Sequence, residues 1–93
     1  MKRIENNQLI VKYIHREKTE EGFEYVNLAS AYTAFSAELI QMFRECYENE
    51  IYLQFNQYAE VDEKYRNDEY LIEDIRLTMG TESDLFVLEV YVQ

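Results

Sequence analysis

The chain has 93 residues, 47% of them hydrophobic. This is enough to form one hydrophobic core that needs no disulfide bond or metal ion for stability. Its 19 acidic and nine basic side chains give a formal net charge of −10, which disfavours direct binding to nucleic acid or anionic lipid. A lone cysteine excludes an internal disulfide, and no apolar run suits a secretion signal or a membrane span. The sequence predicts one cytoplasmic domain over residues 1–93.

The charge is unevenly distributed along the chain. Residues 1–18 hold five bases and two acids, a sum of +3, whereas residues 19–93 hold 17 acids and four bases, a sum of −13. A field of this sign favours encounter with basic protein surfaces. The alternative is that the acidity only keeps a small protein in solution.

The first elements in chain order are two strands. Residues 8–16 are rich in β-branched and aromatic side chains, and residues 23–29 have a similar composition. The polar stretch 17–22 between them ends in Gly22 and suits a hairpin connection. The pattern therefore predicts a β-hairpin at the start of the fold.

An amphipathic helix is predicted over residues 31–48. Its apolar side chains recur three or four residues apart, while charged and amide side chains occupy the other side. Ser30 is the expected N-cap, and Asn49 is a residue that tolerates the left-handed conformation at a helix end. The apolar face consists of Phe35, Leu39, Met42 and Cys46, with Ile40, Phe43 and Tyr47 beside them.

Alternating side chains predict a third strand over residues 50–58, with Leu53 and Phe55 facing inward and Tyr52 and Tyr58 facing outward. The polar stretch 59–69 reads as a loop that could contain one helical turn.

Two further strands are predicted near the C-terminus. Residues 70–79 favour a strand, although Tyr70 to Ile72 could instead close a short helix. Residues 80–84 have the length of a hairpin loop, and residues 85–92 alternate as a last strand.

The order β-β-α-β-β-β predicts an α+β fold, in which one amphipathic helix packs on one face of a mainly antiparallel sheet of four to five strands. The opposite face would carry Tyr52 and Tyr58 and could contact a partner. The C-terminal strand has few charges and would form an apolar edge, which favours a homodimer or a partner strand there or at another edge. The expected core comprises Phe35, Leu39, Met42, Phe43, Leu53, Phe55, Leu88 and Val90.

The sequence offers no catalytic or metal-binding set. His15 is the only histidine and reads as an ordinary strand residue, while Cys46 falls in the apolar row of the helix. One histidine and one cysteine cannot form the usual four-ligand zinc site. The acidic pairs lack the spacing and glycine of a calcium loop, and two isolated glycines cannot make a phosphate-binding loop. We expect no enzymatic activity, no metal and no cofactor.

The most distinctive segment, residues 58–74, combines seven acids with three tyrosines. Tyrosine is enriched at interaction hot spots because it buries a large area and keeps a polar tip. Carboxylates could take the positions of phosphates on a basic groove, and aromatic rings those of bases. The predicted partner-binding residues are Tyr58, Glu60, Asp62, Glu63, Tyr65, Asp68, Glu69, Tyr70, Glu73 and Asp74, together with Glu82 and Asp84.

In size, charge and tyrosine content the chain is similar in kind to small inhibitors encoded by phages and mobile elements, such as anti-CRISPR and anti-restriction proteins and uracil-glycosylase inhibitors. The resemblance rests on these general properties and on no motif. It implies a non-enzymatic inhibitor that blocks the cationic nucleic-acid channel of a host defence nuclease by nucleic-acid mimicry. The alternative is a generic protein-interaction module or homodimeric adaptor without mimicry.

Overall fold

A computed structural model describes residues 8–80 and 85–93 of the chain as four strands and two helices. The elements are β1 (Gln8–Thr19), β2 (Gly22–Ala34), α1 (Ala37–Glu48), α2 (Glu63–Arg66), β3 (Ile72–Met79) and β4 (Leu85–Val92). The predicted α+β class is confirmed. No helix in the described part of the chain is long and apolar enough to cross a membrane.

The four strands form one mixed sheet in the order β2-β1-β4-β3. The two outer pairs are antiparallel, but the central pair, β1 with β4, is parallel. The prediction of a mainly antiparallel sheet is therefore corrected to a mixed one. Side-chain alternation indicates which face of a strand is buried and carries no information about the direction of its neighbour.

Strand β4 pairs with a neighbour on each side, so it is not an edge strand. The prediction of an exposed apolar edge on the C-terminal strand is wrong. The edges of the sheet are β2 and β3, and any pairing with another chain would use one of them.

The predicted hairpin is confirmed, with a shorter loop and longer strands. Thr19 pairs with Gly22, which leaves a two-residue loop in place of the polar stretch 17–22. Gly22 has a φ of 132°, a conformation that residues with a side chain rarely adopt. The Thr19 hydroxyl donates to the Gly22 carbonyl at 3.2 Å and closes the turn.

Helix α1 begins six residues later than predicted. Residues 31–34 continue β2 and pair with the first residues of β1, so Ser30 is not the N-cap. Ser36 takes that role, because its Oγ accepts a hydrogen bond from the Leu39 N–H at 3.1 Å. Apolar periodicity alone could not locate this boundary, since Tyr32 and Phe35 fit a strand as well as a helix.

The end of α1 lies where predicted, at Asn49, but Glu50 is the residue that adopts the left-handed conformation, with a φ of 53°. The Ile51 N–H donates to the Cys46 carbonyl at 3.0 Å, which is the long hydrogen bond of a Schellman motif. The Asn49 side chain also donates to the Glu45 carbonyl at 2.9 Å.

The predicted strand over residues 50–58 is absent from the sheet. Its one ladder contact is an isolated bridge between Leu53 and Tyr70, whose N–H groups donate to each other's carbonyls at 2.8 and 2.7 Å. Leu53 and Phe55 still pack against the core, so the alternation correctly identified the inward side. The predicted helical turn is α2, and residues 72–79 form the predicted strand.

The core lies between α1 and one face of the sheet. Of the predicted core residues, Phe43, Leu88 and Val90 are buried, and three more pack against them while partly exposed: Leu39, Leu53 and Phe55. Phe35 and Met42 are exposed, so their assignment to the core is wrong. Cys46 is buried among apolar side chains, as predicted.

We expect Phe43→Ala to lower the free energy of unfolding by about 3–5 kcal/mol, because the ring is 3% exposed and packs edge-on against Tyr13. The neighbouring Met42→Ala is the matched control, since Met42 is 45% exposed, and its cost should stay below about 1 kcal/mol. Urea denaturation followed by circular dichroism measures both. Equal losses would contradict this orientation of the helix.

Candidate protein-interaction surface

Residues 37–71, which we call the helical layer, contain both helices and cover one face of the sheet. The helical layer holds nine acidic and three basic side chains, so it carries a formal charge of −6 out of the −10 of the whole chain. The fold thereby collects most of the excess negative charge on one side of the molecule.

Five of the predicted acidic residues lie in the helical layer and are exposed. Asp62 caps α2 by accepting the Lys64 N–H at 3.3 Å, and Glu63 lies 3.6 Å from the Arg66 guanidinium. The remaining three acids form no ion pair within the described residues and are free to meet a cation: Glu60, Asp68 and Glu69.

Arg66, one of three bases in the helical layer, forms hydrogen bonds to backbone carbonyls. Its guanidinium donates to the Asn56 carbonyl at 2.9 Å and to the Ala59 carbonyl at 3.1 Å. These bonds tie the segment after α1 to α2.

The predicted acids of β3 lie apart from the others. Glu73 forms an ion pair with Arg16 at 3.3 Å, and Asp74 lies 3.9 Å from Arg76 while also accepting the Ile75 N–H. Their charge is offset by these partners. Two further predicted residues, Glu82 and Asp84, lie outside the described part of the chain.

The three predicted tyrosine anchors have different environments. Tyr58 is 83% exposed, so its ring is available for contact. Tyr65 is partly buried, and its hydroxyl donates to Glu17 Oε1 at 2.8 Å. Tyr70 is only 4% exposed and donates to the Tyr65 carbonyl at 3.1 Å. Of these three tyrosines, only Tyr58 has a ring that is exposed enough to contact a partner.

Tyr65 and Tyr70 fasten the helical layer to β1. The His15 ring lies edge-on to both tyrosines, with centroids 5.4 Å from Tyr70 and 6.3 Å from Tyr65, and its Nδ1 is 3.4 Å from Glu17 Oε1. The Tyr65 hydrogen bond lowers the pKa of Glu17, and the same bond raises the pKa of Tyr65. Burial raises the pKa of Tyr70 to about 12.

An apolar groove runs between β2 and the helical layer, with a volume of about 460 Å³. Ala29 and Ala31 of β2 form its floor, and Met42 of α1 lies on one side. Tyr58 and Glu60 line it from the segment before α2. The groove therefore adjoins residues of the predicted partner-binding set, and we call it the β2–α1 groove.

The uncovered face of the sheet carries a second concavity of about 670 Å³, lined by charged and aromatic side chains. The sequence predicted Tyr52 and Tyr58 on this face of the sheet. Both lie instead in the helical layer, because residues 50–58 do not join the sheet. Tyr25 and Tyr91 occupy this face instead, with ring centroids 5.7 Å apart. The charged side chains that line it are three cations and three acids: Lys12, Arg16 and Arg76, and Glu73, Asp74 and Glu89.

Within residues 8–80 and 85–93, no group of three or more His, Cys, Asp or Glu side chains could hold a metal ion. Comparisons with protein-family models, with curated proteins and with solved structures found no match for this chain. The chemistry of its own surface must therefore carry any proposal about function.

We expect stability to fall as the pH rises above about 10, because Tyr70 ionises near 12 in the folded chain and near 10 when unfolded. The folded state then holds a proton that the unfolded state has lost. The loss should reach on the order of 2 kcal/mol by pH 12. Urea denaturation at several alkaline pH values measures it.

Tyr70→Phe is the control, because it removes the ionisable hydroxyl and keeps the ring. Its stability should fall less steeply over the same pH range. An identical pH dependence in Tyr70→Phe and in the unmodified protein would contradict the assignment.

Proposed function

We propose that this protein is a non-enzymatic binding protein whose helical layer occupies a basic surface on another protein. In its most specific version, the proposal is that the protein inhibits a nucleic-acid-processing enzyme, such as a host defence nuclease, by blocking the channel that normally holds nucleic acid. The observation that carries the proposal is the separation of charge. The helical layer has a formal charge of −6, whereas Arg16 and Arg76 on the open face are paired with acids.

Electrostatics supports this proposal in a specific way. Exposed carboxylates at Glu60, Asp68 and Glu69 could replace phosphates in a cationic channel, since none of them is neutralised within the described residues. A surface of one sign accelerates association with an oppositely charged partner and makes the association sensitive to salt. Tyr58 is the exposed ring that could replace a base.

The contact set that we propose is smaller than the set of residues predicted from the sequence. Tyr65 and Tyr70 hold the helical layer in place, and Glu73 and Asp74 have cationic neighbours. The contact set that we propose is Tyr58, Glu60, Asp62, Glu63, Asp68 and Glu69.

A generic interaction module or homodimeric adaptor is the second candidate. It is favoured by the outer edge of β2, with which no further strand pairs among the described residues, and by the β2–α1 groove beside it. The two candidates differ in their response to DNA. A nucleic-acid mimic competes with duplex DNA for its partner, whereas an adaptor that uses only the sheet edge does not.

We expect replacement of Glu60, Asp68 and Glu69 by Gln, Asn and Gln to slow association with the partner by about tenfold or more at low salt. The partner is obtained by capture from host-cell lysate on the immobilised protein and elution with concentrated salt. Surface plasmon resonance then gives the rate. Stability should be unchanged, because these side chains are exposed and unpaired.

The matched control replaces Glu20, Glu21 and Glu24 by Gln, which changes the net charge equally on the exposed end of the β1–β2 hairpin. Its association rate should stay within about threefold of the unmodified protein's. Equal slowing in both triple variants would show that net charge alone matters, and partner binding that resists DNA competition would exclude mimicry.

Tyr58→Ala should accelerate dissociation by about 30-fold, which corresponds to about 2 kcal/mol, if the ring is an anchor. The fold should be unaffected, since the ring is 83% exposed. Tyr52→Ala is the control, because Tyr52 is also exposed but lies outside the proposed contact set. The dissociation rate is read from the same sensor, and equal rates for Tyr58→Ala and the unmodified protein would remove the ring from the interface.

A further inference from the structure

Strand β2 is an edge strand with few of the features that protect edges from pairing. It is 13 residues long, and its part from Tyr25 to Ala34 contains neither a charged residue nor proline. Long uncharged edges present unpaired N–H and C=O groups to any extended chain. The one irregularity is at Leu28, where Tyr13 pairs with Ala29 but Ile14 pairs with Asn27.

Beyond that bulge, residues 29–34 are regular and pair residue by residue with β1. This half of β2 also forms the floor of the β2–α1 groove through Ala29 and Ala31. The groove, with its volume of about 460 Å³, lies between this strand, Met42 and the segment that carries Phe55 and Tyr58. An edge strand beside a helix-lined apolar groove is the arrangement in which strand addition gains both backbone hydrogen bonds and side-chain pockets.

We propose that residues 29–34 of β2 bind an extended segment of a partner protein by strand addition. Alternate side chains of that segment would point toward the helical layer. Apolar ones would enter the β2–α1 groove, and a basic one next to them in the row would lie beside Glu60. This inference concerns the edge of the sheet and goes beyond the proposed function, which concerns the helical layer. In both proposals the partner is basic. Its backbone contacts do not depend on the exposed acids of the helical layer.

Charge favours a basic segment over a second copy of this chain. Antiparallel pairing of two β2 edges about a two-fold axis would place both helical layers on the same side of the joined sheet. Each layer carries a formal charge of −6, so the two would repel each other. A lysine or arginine on the groove-facing side of the added strand would instead be attracted to Glu60 at the rim of the groove.

The probe, which we call the valine–lysine peptide, is a fluorescent, capped peptide of about eight residues, a length typical of one strand. Valines followed by one lysine occupy its alternate positions, so that they share one face, and threonine occupies the positions between them. We expect saturable binding by fluorescence anisotropy at micromolar concentrations. A peptide of the same charge with serine in place of valine should bind at least about tenfold more weakly, because it fills no groove. A peptide with N-methylated backbone amides should also lose binding, because it cannot form the ladder.

Two single substitutions locate the site on the chain. Ala31→Lys places a cation on the groove floor and should weaken binding of the valine–lysine peptide by at least about tenfold. Tyr32→Lys is the matched control: the residue adjoins Ala31 but pairs with Ile10 on the opposite face, and it is exposed. Binding to Tyr32→Lys should stay within about threefold of that to the unmodified protein.

Amide chemical-shift changes on the unmodified protein provide a readout that does not depend on any variant. They should cluster in residues 29–34 and at Met42 and Tyr58. Shifts confined to the acids of α2, or equal binding of the serine and N-methylated peptides, would overturn the proposal by showing electrostatic attachment alone. A dimer in light scattering whose β2 amides are protected without peptide would overturn it in favour of a second copy.

Discussion

The parallel pairing of β1 with β4 is the constraint on which the rest of the structure depends. It brings the buried side chains Leu9 and Val11 beside Leu88 and Val90 at the centre of the sheet. Two parallel neighbours cannot be joined by a tight turn, so the chain between them must cross over. The helical layer makes this crossing, because it connects β2 at one edge of the sheet to β3 at the other.

The helical layer is fastened at a second place by groups far apart in sequence. The Tyr65 hydroxyl donates a hydrogen bond to Glu17, which lies 48 positions earlier in the chain. The Tyr70 hydroxyl donates to the Tyr65 carbonyl, and the His15 ring packs edge-on against both tyrosine rings. Short helices such as α2 have little stability of their own, so tertiary contacts must hold them. This fastening keeps the acids of the layer at a fixed distance from the groove, which an unstructured acidic loop could not do.

The sequence predicted the hairpin, the main helix and the last two strands because each depends on local periodicity or turn chemistry. It failed for residues 50–58, where alternation identified the inward side chains but could not reveal that the backbone lacks a neighbouring strand. It also failed to place Tyr70, whose burial depends on His15 and Phe55 from distant parts of the chain. The residue types suggested an interaction surface. Only the fold distinguishes the exposed Tyr58 from Tyr65 and Tyr70, which hold the helical layer in place.

The acidic surface and the β2–α1 groove share a border, because Tyr58 and Glu60 belong to the proposed contact set and also line the groove. One basic extended segment could therefore meet both. The two contributions would act on different rate constants, since charge steers encounter and is screened by salt, whereas backbone pairing and groove filling slow dissociation. Added salt should then reduce the association rate steeply and the dissociation rate little. If salt changed both rates equally, the edge of β2 would have no part in holding the partner.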